Sequence, residues 1–119
     1  MTYQELKEYL LAKPFCTLDF PFGDDVPVFK VNKKMFALIG ERNDLMMLNL
    51  KCDPAESEML RDIFSAIEPG YHMDKRHWIS IYFDGSVPTN EVKRLIDNSF
   101  DLVVSKLTKK DQQAIRLLM

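Results

Sequence analysis

The sequence predicts an α+β domain of two layers, a mainly antiparallel sheet with helices packed on one face. Three observations carry that expectation. Strand-length apolar runs, alternating from Phe15 to Phe20 and again from Leu48 to Cys52, follow one another between residues 15 and 52, and runs with helical period lie at both ends and in the middle. The connections between the strand-length runs are short, so successive strands pair antiparallel, since a parallel pair needs a crossover of a dozen or more residues. A sheet of that kind buries one face most economically against amphipathic helices. The expected order is α-β-β-β-β-α-β-α-α, in a single domain spanning residues 1–119.

Each element has its own signal. Thr2 followed by Glu5 has the form of a capping box, and Tyr3, Leu6 and Leu10 recur at helical spacing. That helix should run to about Ala12, stopped by Pro14. Phe15 to Phe20 alternates as a strand does, and Pro21-Phe22-Gly23-Asp24-Asp25 breaks it as a loop. Val28-Phe29-Lys30-Val31 and Met35-Phe36-Ala37-Leu38-Ile39 read as a hairpin around Asn32-Lys33-Lys34. Leu45 to Lys51 is the next strand, after a turn at Arg42-Asn43-Asp44.

Asp53-Pro54-Ala55-Glu56 opens a helix with an Asp cap, proline at the first helical position and Glu three residues after the cap. Met59, Leu60, Ile63, Phe64 and Ile67 should form its apolar face. After the Pro69-Gly70 turn, Trp78-Ile79-Ser80-Ile81-Tyr82-Phe83 is a strand by its β-branched and aromatic content, closed by Asp84-Gly85. Pro88 opens a long helix with Val92, Leu95, Ile96, Ser99, Val103 and Leu107 on one stripe. Thr108 followed by Asp111 starts a short last helix carrying Ile115 and Leu118.

Composition narrows the classes. No apolar run reaches the roughly 20 residues of a membrane-spanning helix. Met1-Thr2-Tyr3-Gln4-Glu5 lacks the basic start and apolar core of a signal peptide, so a cytoplasmic location is expected, with no membrane partner. Cys16 and Cys52 are then expected as apolar side chains without a disulfide. With His72 and His77 they form no metal-binding spacing, so neither a metal nor a cofactor is expected. Four glycines leave no phosphate-binding loop, and Ser86 and Ser99 lack the context of a hydrolase nucleophile. No catalytic set is read, and the reading leans away from an enzyme.

The net charge of −2 argues against a dedicated nucleic-acid binder, but the charge is unevenly spread. Residues 1–29 carry two positive and five negative side chains, and residues 53–74 carry one and six. Residues 30–52 carry five and two, and residues 75–110 seven and four. If folding gathers the last two segments on one side, a basic face coexists with an acidic chain; otherwise the surface is mixed and solvated.

The stretch from Pro69 to Trp78 holds both histidines, the tryptophan and an adjacent Lys-Arg pair. His72, Lys75, Arg76 and His77 either clamp a phosphate or fix the end of a strand. Lys30, Lys33 and Lys34 make the first hairpin a basic wing, or keep a strand edge from aggregating. Asn49 and Lys51 alternate with Leu48, Leu50 and Cys52 and should share one sheet face, as an anion-binding surface beside Lys30 or as a solvated one. Phe29, Trp78 and Tyr82 are aromatic enough to stack a base, although Phe29 and Trp78 suit a core better.

Five landmarks stand in order along the chain. They are Pro21-Phe22-Gly23-Asp24-Asp25 through Val31, Met35-Phe36-Ala37-Leu38, Asn49-Leu50-Lys51-Cys52-Asp53-Pro54, Pro69-Gly70-Tyr71-His72 through His77-Trp78, and Asp84-Gly85-Ser86-Val87-Pro88 with Ser99-Phe100-Asp101-Leu102-Val103. In this order the chain resembles the MmcQ/YjbR family of small bacterial proteins. The resemblance implies a fold similar to that of type III secretion chaperones and DNA binding through two hairpin wings. The expected function is a non-enzymatic binding module with DNA as partner. The alternatives are a protein-interaction or chaperone-like module, using the open sheet face or Ile115-Arg116-Leu117-Leu118-Met119, and a small-molecule binder around His72, His77 and Asn49. A monomer or a weak homodimer is expected.

Overall fold

The centre of the sheet is the pair β3 (Lys34–Arg42) and β4 (Leu45–Lys51), in register from Ala37 opposite Leu50 to Arg42 opposite Leu45. In this computed structural model, which describes residues 1–118, β2 (Val28–Val31) and β1 (Cys16–Asp19) extend the sheet on one side. On the other side lie β6 (Trp78–Tyr82) and then the short β5 (Ile67–Pro69). The strand order is β1-β2-β3-β4-β6-β5, and every neighbouring pair is antiparallel.

The helices are α1 (Tyr3–Leu11), α2 (Pro54–Ile63), α3 (Thr89–Val104) and α4 (Lys109–Arg116). All four enter one apolar cluster with the same sheet face. Leu10, Leu60, Leu95, Phe100 and Ile115 meet Phe29, Ile39, Leu48, Leu50, Ile79 and Ile81. The expected architecture and element order hold, with β5 as an added edge strand. Three residues ending in proline show no alternation, so Ile67, expected on α2, instead pairs with Ile81.

Local chemistry sets the boundaries. Thr2 Oγ1 accepts from the Glu5 N–H at 3.1 Å while Glu5 Oε1 accepts from the Thr2 N–H at 2.9 Å, closing the capping box. Asp53 caps α2 by accepting from the Ala55 N–H at 2.9 Å. Both central hairpins turn on two residues in left-handed backbone, Asn32-Lys33 (φ 48° and 65°) and Asn43-Asp44 (φ 56° and 63°). This is the type I′ geometry that matches strand twist.

Two expectations about helix faces fail. Met59 and Ile63 are 64% and 67% exposed, because α2 lies over the β5–β6 side of the sheet and buries the narrower stripe of Ser57 and Leu60. Ile115 anchors α4, but Leu117 and Leu118 face outward, and Met119 lies outside the described residues. Among the described residues no helix is long and apolar enough to cross a membrane.

A bulge links sheet and helix. Ala37 pairs with Phe29 and Met35 with Lys30, so the intervening Phe36 has no partner on β2. Its ring packs edge-on to Phe100 with centroids 5.3 Å apart. Its carbonyl accepts from Ser99 Oγ at 2.5 Å, and Ser99 Oγ in turn accepts from the Lys51 N–H at 2.9 Å. One buried hydroxyl therefore ties α3 to β3 and β4. The other sheet face is not bare either: Met47, Ala66 and Tyr82 form a smaller cluster there with Leu45, Tyr71 and Val87.

Candidate functional site at one end of the sheet

The register decides which residues meet. Lys34 begins β3, Lys51 ends β4 and Trp78 begins β6. These are consecutive strands, and Lys51 pairs directly with Trp78. With strands about 4.8 Å apart, the backbones at these positions lie within roughly 10 Å across the sheet. The Asn32-Lys33 turn and the Gly70–His77 connection, with Lys75 and Arg76, therefore sit at this same end.

That connection is held in place by buried polar groups. Asn49 and Ser80 face each other across β4 and β6, 1% and 0% exposed. Ser80 Oγ donates to Asn49 Oδ1 at 2.5 Å and accepts from the Tyr71 N–H at 2.8 Å, and Asn49 Nδ2 donates to the Tyr71 carbonyl at 3.2 Å. The chain after Gly70 thus folds back over the second sheet face. Gly70 must lack a side chain, because a Cβ there would stand 2.6 Å from Trp78 Cβ. Lys75 Nζ donates to the Gly70 carbonyl at 2.9 Å, and the Arg76 N–H to Asp74 Oδ1 at 3.0 Å. His72, at φ 58°, stacks against Tyr71 with ring centroids 4.1 Å apart, and Arg42 lies 4.1 Å above the Tyr71 ring.

Of the residues expected from sequence, Lys33, Lys34, Lys75, Arg76 and His77 are exposed at this end, and Lys51 is half-buried there. Lys30 is drawn away: its Nζ pairs with Asp19 Oδ2 at 3.1 Å. Asn49 is an internal anchor of the turn, so it and Lys51 are not presented together. His72 and His77 serve different surroundings. His77 lines a cleft of about 350 Å³ with Lys51, Asp53, Asp74, Trp78 and Lys106, so the cleft is mixed in charge, whereas His72 lies over the second sheet face. Tyr82 and Phe29 are buried, and Trp78 is half-buried.

The sequence reading missed three cations. Lys106 joins Lys51 and His77 in the cleft, and Asn32 Nδ2 donates to Asp111 Oδ2 at 3.2 Å, which brings the first turn of α4, with Lys109 and Lys110, beside the hairpin tip. Helical periodicity alone gave no hint of that docking. Among the described residues the hairpin, cleft and α4 lysines and Arg76 make no ion pair, unlike Lys13, Lys30, Arg42 and Arg94.

The opposite end of the sheet collects carboxylates. Asp19 ends β1, Asp24 and Asp25 follow in the next loop, Glu41 lies near the end of β3, Asp44 is in the second hairpin turn, and Asp84 follows β6. The Lys30 ammonium and the Phe20 N–H hold Asp19 below the usual carboxylate range, and the Ser86 hydroxyl and N–H do so for Asp84. At the cationic end, Asp53 is engaged as a helix cap and Asp74 in its own turn. The cleft thiol of Cys52 is pushed up to about 12, mainly by burial, and Cys16 to about 11 for the same reason; both are free thiols.

A six-stranded antiparallel sheet backed on one face by helices is a small α+β domain already seen in solved structures. It is similar to the crystal structure of Deinococcus radiodurans protein DR2400, with a TM-score of 0.88 and 35% identity over 96% of this chain and 87% of that one. A Pseudomonas syringae protein is similar with a TM-score of 0.75 and 31% identity, covering 86% and 98%. The chain belongs to the YjbR family, whose model matches residues 11–102. Among its relatives, Escherichia coli O157:H7 YbdF is 40% identical over 114 residues, 96% of this chain and 93% of that protein. Escherichia coli K12 YjbR is 30% identical over 115 residues, 97% and 98%.

Proposed function

We propose that this YjbR-family domain is a non-enzymatic binding module that holds DNA by its phosphates at the cationic end of the sheet. One observation carries the reading: cations without an ion-pair partner, from segments distant in sequence, meet at one end of the sheet and outnumber the carboxylates there, Asp53, Asp74 and Asp111, each of which is held in a hydrogen bond. A net charge of −2 then hides a bipolar molecule. Such a molecule is attracted to a polyanion when its cationic end leads. Lys33, Lys34, Lys51, Lys75 and Arg76 are the phosphate contacts, His77 lies beside them in the cleft, His72 stays with Tyr71 over the second sheet face, and Asn49 positions the turn. A cytoplasmic setting goes with this reading, since two free thiols suit a reducing compartment.

A salt series tests it. If those five cations each neutralise one phosphate, log K against log salt falls with a slope of roughly −4 to −5. Neutralising Lys33 and Lys34 should make the slope shallower by about 2. A flat salt response, or no DNA binding at low salt, contradicts the reading. Exposure of Met59 and Ile63, four residues apart on α2, favours a second reading as a protein-interaction module. In that case binding survives high salt and is lost when both residues become serine.

A further inference from the structure

Two positions at the cationic end carry large side chains where the backbone calls for glycine. One is Lys33, at φ 65° in a type I′ turn. The other is Phe15. The Cys16 N–H donates to the Lys13 carbonyl at 3.1 Å, which closes a turn with Pro14 second and Phe15 third, at φ 57°. Proline followed by a left-handed residue is the pattern of a type II turn, whose third position strongly favours glycine. The other left-handed non-glycine positions hold Asn, Asp, His and Lys; a bulky aromatic there is a genuine outlier.

Phe15 gains little inside the protein for that strain. Its side chain is 54% exposed and belongs to neither apolar cluster. It immediately precedes Cys16, which pairs with Val31, so Phe15 stands beside the Asn32-Lys33 turn. A strained, exposed aromatic thus adjoins an unpaired cation. Those are the two side-chain types that single strands engage, the ring by stacking on a base and the ammonium by meeting its phosphate. We infer that Phe15 is a base-stacking residue and that unpaired nucleotides are the favoured form of the nucleic-acid ligand. This rests on the DNA reading above and goes beyond it.

The test compares a dT oligonucleotide of about 15 nucleotides with a duplex of the same length, using Phe15→Gly and Phe15→Trp. Phe15→Gly relieves the backbone, so Tm should hold or rise while affinity for the oligonucleotide falls roughly 5- to 100-fold. Duplex affinity should not change, and Phe15→Trp should restore oligonucleotide binding. Phe22, 66% exposed at the carboxylate-rich end, serves as control, and Phe22→Ala should have no effect. The inference falls if Phe15→Gly binds both forms as the parent does, or loses both equally. It also falls if Phe15→Gly instead releases the chain from phosphatidylserine vesicles. Failure of the DNA reading looks different: the parent binds neither form, or neutralising Lys33 and Lys34 changes neither affinity.

Discussion

Lys33 shows at single-residue scale how stability and binding separate. The two-residue turn Asn32-Lys33 has Asn at its first left-handed position and Lys where Asn-Gly would be most relaxed. Lys33→Gly is therefore expected to raise stability by about 0.5–1 kcal/mol in denaturant titration while weakening DNA binding. A loss of stability would mean that Lys33 makes packing contacts instead. Gly70 behaves in the opposite way. A methyl group cannot fit against Trp78, so Gly70→Ala should cost about 1–3 kcal/mol and loosen the Tyr71 turn. Burial keeps the Cys52 thiol protonated at pH 8, well below its value of about 12. It should react with a disulfide reagent only on unfolding, and rapid native-state labelling would contradict its placement.

Ser99 and the Asn49–Ser80 pair act at the scale of elements. Ser99→Ala leaves the Phe36 carbonyl and the Lys51 N–H without their partner, a cost of about 1–3 kcal/mol for each group left buried and unsatisfied. Unfolding experiments should show that loss, and wild-type stability would rule out the bridge. Such ties were invisible in sequence, where Ser99 is one small residue on an apolar stripe and Asn49 one polar residue in an alternation. The elements themselves were readable, because caps, prolines and period are local: Thr2, Asp53 and Thr108 all cap as their spacing implies. What failed was tertiary. Met59 and Ile63 have core-like spacing, yet α2 lies over a sheet edge too narrow to cover them. Lys30 looked like part of a wing until β1 supplied Asp19.

For the whole molecule, sequence showed that cations and carboxylates fall in blocks but not that the blocks separate in space. Strand direction does that, because each antiparallel turn returns the chain to the same two ends. Lys33, Lys51, Lys75 and Lys106 share one end, while Asp24, Asp44 and Asp84 share the other. Backbone amide NMR with DNA added stepwise at low salt tests this polarity most directly. Shifts are predicted at residues 15–17, 32–35, 51–53, 72–78 and 106–111, with none at 22–25, 43–45 or 84–86. Shifts centred on the second group, or scattered evenly over both ends, would contradict a cationic end that binds DNA.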